Sequence, residues 1–591
     1  MSKTLFTNIP SVVKNLVNDV RIGKIGLPDL QRPFVWKDNK VRDLFDSMMR
    51  GYPIGYIMLW QSPSDYEEKK SVIGQNTKIY TEPKELVIDG QQRLTALVAA
   101  MYGIKVRDKN YTEREIKISY NPLTREFSVW TTATNRDQEW ISKISDVFLA
   151  KENNSFTKLR RAYINELNAA REKKGEAELT DDECDLIENN LNDLLGVENF
   201  SLPTLEISSD ADEQDVADIF VRVNSGGQNL NENNFIQTLI AVYEKDVHDR
   251  ITQFCQESRI PQDGTSYNHI IEIDPQHLVR MAVGVGFHRA RLRYAYMLLR
   301  GKDLETGKYS EEIRNQNLTR FKNALDDVMN LNHWHAFINC LTNAGYVSGK
   351  IVASSNAVVY SYVLYLIGKL EYKVDTVRLN KLISKWFFMS AITYFYTVST
   401  ESEVERQFAD LRSIHTADEF VAYIEKTIAG KFTDDYFNMT LPNELNTSSA
   451  ISPAWYGYIA SQIVLNNPML FSTSSLAPYL LPGASGTKNA IDKHHIFPKN
   501  YLTKIGYTTD RDRNQAANFT YLDYATNIDI SDDAPDVYIQ RYKDKLGEEY
   551  LIHCENHALP KDFETMDYME FLSQRRSLMA KIIRKAFMRL S

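Results

Sequence analysis

The chain has 591 residues, a length that predicts about three domains rather than one core. Hydrophobic residues make up 43% and charged residues 25%, which excludes a disordered or fibrous chain. A net charge of −9 confines any nucleic-acid surface to a local patch, and four cysteines without a CxxC pair exclude a disulfide framework and a cysteine zinc site.

The opening residues, MSKTLFTNIPSVVK, lack the unbroken apolar run of a signal peptide. No stretch reaches the roughly 18–20 uncharged residues that a bilayer span needs. The expectation is a soluble, cytoplasmic protein without a membrane partner.

Residues 1–105 alternate short apolar runs with turns, which predicts a mixed α/β region with helices over Asn39–Arg50 and Gln91–Met101. In ELVIDGQQRLTALVAAM (85–101), Leu86–Ile88 suit a strand, Asp89 and Gly90 a tight turn, and Leu94, Leu97, Val98 and Met101 one face of a helix. Gln91, Gln92 and Arg93 then fall in the first helical turn. An arginine there opposes the helix macrodipole unless an anion sits between them. A phosphate cradle, with Asp89 holding a divalent ion, is therefore one reading, and an ordinary strand–turn–helix junction is the other. The chain has no G-x-x-x-x-G-K-[ST] loop.

Residues 150–200 read as a helical hairpin with a solvated charged face, and Asp181, Asp182 and Glu183 as a helix N-terminus. From about 231 to 430 the apolar spacing is helical, and the aromatic stripe in VVYSYVLYLIGKLEY is expected to be core. His333 and His335 are expected in buried or capping roles. The polar stretch 441–453 marks a boundary, and a loose stretch over 471–490 leads into the last domain.

Residues 491–500 read IDKHHIFPKN, with Asn518 and Asn527 following in NQAANFTYLDYATN. The pattern predicts a β-hairpin and a helix folded around one metal ion. Phosphodiester hydrolysis needs a water deprotonated near neutral pH, for which histidine is suited. It also needs a cation to neutralise charge on the scissile phosphate. Adjacent strand side chains point opposite ways, so one histidine can face the metal and its neighbour the attacking water. An asparagine oxygen is a suitable hard ligand for Mg²⁺.

Two further histidines, His553 and His557, lie one helical turn apart and are expected to be a surface pair rather than a zinc site. The C-terminal Arg575, Arg576, Lys581, Arg584, Lys585 and Arg589 form either a basic nucleic-acid surface or the solvated face of an amphipathic helix.

The His-His-Ile-x-Pro, Asn, Asn pattern resembles the ββα-metal (HNH) nucleases, and most closely the nuclease domain of the GmrSD-type modification-dependent restriction enzymes. The resemblance implies that His495 is the general base, that His494 and Asn527 hold Mg²⁺ or Mn²⁺, and that Asn518 fixes the loop around them. IDGQQRLTAL, with LPDLQRPFVWK upstream (Leu27–Lys37) and IFVRVNSGGQNL downstream (Ile219–Leu230), resembles the GmrS-type domain, similar to the ParB-like fold and implicated in NTP hydrolysis. On that resemblance Asp89, Gly90, Gln91, Gln92 and Arg93 line a nucleotide site, with Gln31 and Arg32 from a neighbouring loop and Arg222, Asn224, Gly226 and Gly227 in a further turn. The nucleotide itself, whether ATP, GTP, CTP or UTP, is left open. Leu30 stands where many relatives carry an aromatic before the QR pair, and Asn234 where an acidic residue is common.

The expected architecture is α+β and multidomain: a ParB-like α/β NTP-binding domain over 1–230, a helical connecting domain over 231–440 and an HNH nuclease domain over 441–591. The resemblance implies a bacterial type IV restriction endonuclease of phage defence, NTP-regulated, that cuts double-stranded DNA carrying modified bases such as glucosylated hydroxymethylcytosine. Since one HNH site cuts one strand, a homodimer is expected. The alternatives are a nuclease answering to another mark such as phosphorothioate or to none, an NTP-switched DNA-binding protein with a vestigial nuclease domain, and an RNA-targeting toxin.

Overall fold

The computed structural model describes residues 4–28, 34–61, 70–71, 84–108, 112–211, 215–216, 219, 223, 245–262, 264–299, 301–303, 306, 308, 310–397, 400–481 and 491–590. Within it the chain is mixed α+β and divides into two compact units, Met1–Arg250 and Ile251–Ser591.

The first unit is built on a six-stranded sheet. Its strands are β1 (Phe6–Ile9), β2 (Ile25–Pro28), β3 (Ile57–Gln61), β4 (Lys70–Ser71), β5 (Glu85–Asp89) and β6 (Thr204–Ile207), in the order β1-β6-β3-β5-β2-β4. The β6–β3 and β2–β5 pairs are parallel and the others antiparallel. Ile57–Trp60 and Leu86–Ile88 are buried, as continuous apolar runs in central strands should be. Helices α1 (Val13–Arg21), α2 (Asp38–Met49) and α3 (Gln91–Tyr102) share one core with this sheet. The sequence pattern predicted one buried face for α3. Instead Leu94 and every residue from Ala96 to Met101 are buried, because α3 packs against both α1 and the helix Ile144–Glu152. Alanines at 96, 99 and 100 admit that second contact. The charged stretch forms the expected hairpin of α4 (Phe156–Lys174) and α5 (Asp181–Gly196), and Thr180 and Glu183 close a capping box at the start of α5.

The second unit holds both the helical region and the C-terminal hairpin. Helix α6 (Ser355–Leu366) is buried from Ala357 onward, and Tyr362 stacks on Trp334 with ring centroids 4.0 Å apart. The aromatic stripe is core, as its pattern predicts. His333 is likewise buried, its Nδ1 3.0 Å from the Asp327 carbonyl. Helix α7 (Pro453–Val464) starts inside the expected boundary region, with Ser452 capping it and Pro453 in its first turn. The expected boundary at 441 lies within this unit, and the one at 230 lies outside the described residues.

Candidate nuclease site

In the second unit β7 (Ile491–His495) pairs antiparallel with β8 (Phe519–Asp523), which runs directly into α8 (Tyr524–Ile530). Asp523 caps that helix through the Thr526 N–H at 2.8 Å, so the strand-to-helix turn is fixed by its own sequence. This ββα arrangement brings the far-separated residues of the motif together.

His494 and Asn527 meet across the turn, with Nδ1 and Oδ1 2.7 Å apart. His495, next along β7, contacts a different loop: its Nε2 lies 3.0 Å from the Asn514 Oδ1. Its ring stands edge-on to Phe519 at 5.1 Å between centroids. Burial pushes the His495 imidazole down to about 4, against the opposing effect of the Asn514 hydrogen bond. The ring is thus neutral at physiological pH.

Asn518 is wholly buried and acts through the backbone. Its Oδ1 accepts the Phe497 N–H at 2.8 Å and its Nδ2 donates to the Phe497 carbonyl at 3.0 Å, while its own carbonyl accepts the Ile496 N–H at 2.8 Å. Asn518 therefore ties the loop leaving β7 to the start of β8, close beside both histidines.

A divalent ion was expected between His494 and Asn527. Two donors each about 2.1 Å from an octahedral ion and at right angles to each other lie about 3.0 Å apart. The observed 2.7 Å is a hydrogen bond between the two side chains, a few tenths short of that separation. Among the described residues no group of three His, Cys, Asp or Glu side chains could hold a metal. One imidazole nitrogen and one amide oxygen are donors that a divalent ion keeping most of its waters could share, whereas a structural zinc takes four protein ligands.

Several residues around the site carry roles that spacing did not reveal. Helix α10 (Tyr568–Arg589) follows α9 (Glu549–Asn556), and its Arg575 is wholly buried. It donates to the Ala517 carbonyl at 2.7 Å and the Phe519 carbonyl at 3.0 Å, one on each side of Asn518. The basic tail is accordingly not one free surface. Arg575 is core, Arg584 pairs with Asp434, and Arg576 reaches Asn446. His553 and His557 depart from expectation as well, since both are buried. The His557 Nε2 donates to the Pro468 carbonyl at 2.8 Å, and the His553 Nδ1 accepts the Phe471 N–H at 3.3 Å. Backbone groups of an adjoining segment, invisible to helical spacing, fix them inside. Asn514 carries no signal in the sequence, where RDRNQAAN reads as an ordinary polar loop ahead of Asn518.

In the first unit, Asp89 ends β5 and Gly90 turns the chain with φ +88°. The left-handed conformation favours glycine, and a Cβ at Gly90 would also have to displace the end of the Ile57 side chain. Asp89 Oδ1 accepts the Gly90 N–H at 2.8 Å, and Gln91 Nε2 donates to the Val87 carbonyl at 3.1 Å. Gln92 Oε1 accepts the Val35 N–H at 3.0 Å, and Arg93 Nη1 donates to the Tyr56 carbonyl at 2.6 Å. Burial lowers the Arg93 guanidinium, with Asp89 opposing. Gln92 and Arg93 thus draw the 34–36 and 55–57 segments around the start of α3. Gln31, Arg32, Leu30, Arg222, Asn224, Gly226, Gly227 and Asn234 lie outside the described residues.

An uncharacterized protein of Methanocaldococcus jannaschii is 22% identical over 566 residues, a match covering 89% of this chain and 86% of that protein. Residues 13–241, which include α1, α2, α3 and most of the sheet, match the family model described as GmrSD restriction endonuclease, N-terminal domain, and the chain is in that part similar to a restriction endonuclease.

Proposed function

We propose that the protein is a metal-dependent DNA endonuclease of the HNH type that restricts DNA carrying modified bases. The observation that carries this reading is the pairing of His494 with Asn527 at 2.7 Å, beside His495 held toward another loop, on one ββα hairpin. The match of residues 13–241 supports the restriction role and the DNA partner.

His495 is the general base. It takes a proton from water, the water oxygen bonds to phosphorus, and the bond from phosphorus to the leaving nucleotide oxygen breaks, with that oxygen taking a proton from solvent. His494 and Asn527 would hold Mg²⁺ or Mn²⁺, which when bound neutralises charge on the phosphate and the leaving oxygen. Asn518 keeps the Ile496–Phe497 loop in register with both histidines, so no reorganisation is needed when substrate arrives.

The same reading gives the first unit an NTP site around Asp89, Gly90, Gln91, Gln92 and Arg93, with Gln31 and Arg32. What supports it is a helix start whose first N–H groups have no intrahelical acceptor, with two backbone segments drawn over it by Gln92 and Arg93. The working unit is a homodimer, since one such site cuts one strand.

The test is cleavage of matched DNAs, one unmodified and one with glucosylated hydroxymethylcytosine, with Mg²⁺ and each of the four NTPs. Cutting confined to modified DNA and dependent on one NTP supports the reading. Equal cutting of both DNAs removes the modification dependence, and cutting without nucleotide removes the NTP requirement.

A further inference from the structure

We propose that Asn514 is a positioning residue of the nuclease site: its side-chain oxygen accepts the Nε2 proton of His495 and so leaves Nδ1 as the nitrogen that takes the proton from water. The inference rests on the reading of His495 as the base. It names the group that selects which ring nitrogen reacts.

A base must be unprotonated to take a proton, an unprotonated imidazole still carries one ring hydrogen, and an amide oxygen can only accept. With Asn514 Oδ1 3.0 Å from Nε2, the proton must sit on Nε2 and the lone pair on Nδ1. The ring is held in its plane by this bond and across its plane by the edge-on contact with Phe519.

The acceptor is itself built to stay in place. The Asn514 N–H donates to the Asp510 carbonyl at 2.9 Å, ending the short helix Asp510–Arg513. The carbonyl before it, on Arg513, accepts from Asn518 Nδ2 at 3.3 Å, and Tyr568 Oη donates to the Asp512 carbonyl at 3.0 Å. Beyond it the Ala516 N–H donates to the Thr447 carbonyl at 2.8 Å, and Arg575 holds the Ala517 carbonyl. Asn518 thus braces both the loop after His495 and the loop that carries Asn514. A backbone fixed on both sides of Asn514 narrows the positions its side-chain oxygen can take, which is what a positioned base requires.

The test uses the full-length protein with Mn²⁺ and a modified plasmid that the wild type cuts. Asn514→Leu removes the acceptor at similar size, and Asn514→Asp keeps an acceptor oxygen. Asn514→Leu is expected to lower kcat by about 10–100-fold with KM little changed, the scale typical of a residue that orients a reacting group. Asn514→Asp is expected to recover most of that loss. ¹⁵N spectra of the His495 ring, assigned by comparison with His495→Ala, are expected to show the Nε2–H tautomer in the wild type and a mixture in Asn514→Leu. A wild-type kcat in Asn514→Leu, no recovery in Asn514→Asp, or an Nδ1–H tautomer in the wild type would each overturn the assignment. If Asn514→Leu does not fold, the wild-type tautomer and the kcat of Asn514→Asp decide it. His495→Ala in the same assay separates the two levels. An active His495→Ala removes the nuclease reading itself, whereas an inactive His495→Ala beside a fully active Asn514→Leu removes only the role of Asn514.

Discussion

Arg575 Nη1 donates to the Phe519 carbonyl at 3.0 Å from a wholly buried position, although no carboxylate accompanies it. Its partners are backbone carbonyls: Ala517, Phe519 and, from Nη2, His557 at 3.4 Å. A buried cation held by neutral acceptors, with its Nε left without one among the described residues, is expensive to place, and burial lowers its guanidinium accordingly. What it secures is the start of β8, where Asn518 works. The C-terminal helix is therefore a structural brace of the β7–β8 hairpin.

Replacing Arg575 with Leu should leave these carbonyls without donors. At about 1–3 kcal/mol per unsatisfied buried group, the expected loss is on the order of 3 kcal/mol or more. Denaturant unfolding followed by tryptophan fluorescence would measure it. A loss below about 0.5 kcal/mol would place the guanidinium outside the fold's essential contacts.

The His494–Asn527 pair predicts how metal affinity responds to substitution. His494→Ala should abolish measurable Mn²⁺ binding by calorimetry, and Asn527→Ala should weaken it roughly 10–100-fold. Asn527→Asp should bind Mn²⁺ more tightly than the wild type, because a carboxylate adds charge at the same oxygen position. Unchanged affinity in all three would move the ion elsewhere.

At Gly90 the prediction concerns the first unit. Gly90→Ala places a Cβ in the left-handed region and against Ile57, two penalties that together cost about 2 kcal/mol or more. Because Ile57 lies in central strand β3, thermal unfolding should show the first unit melting earlier. A variant as stable as the wild type would mean that the turn can relax freely.

Acid should weaken the second unit through its buried histidines. Burial holds the His557 imidazole down to about 3, from an ordinary 6.5, and the His553 imidazole is lowered for the same reason. A group with a depressed folded value binds fewer protons folded than unfolded. Its contribution is therefore complete above about pH 6.5 and is lost as pH falls toward 3. Each pH unit of that difference corresponds to about 1.4 kcal/mol at most. His557→Gln should flatten this part of the stability-versus-pH curve in urea titrations. A curve as steep in the variant as in the wild type would assign the acid sensitivity to other groups.

Much of the candidate site was legible because its chemistry is written in residue types that strands and helices place predictably. His494 at a strand end and Asn527 in the following helix meet as their spacing implies, while His495 turns to the other side. Fully buried strands such as Leu86–Ile88 and the aromatic helix α6 were legible for the same reason, their apolar runs being continuous. Contacts across long sequence separations were not. Arg575 reads as surface charge until Ala517 and Phe519 are seen beneath it, and His557 reads as exposed until Pro468 is found against it. Asn514 is one polar loop residue among several, and only the fold puts it on His495.

The most direct test of the nuclease assignment is cleavage of modified plasmid DNA by the wild type and by His495→Ala, with Mn²⁺ affinity measured on both. The assignment predicts that His495→Ala loses activity by about 10²–10⁴-fold while Mn²⁺ binding, which belongs to His494 and Asn527, survives. Cleavage by His495→Ala at the wild-type rate would contradict it.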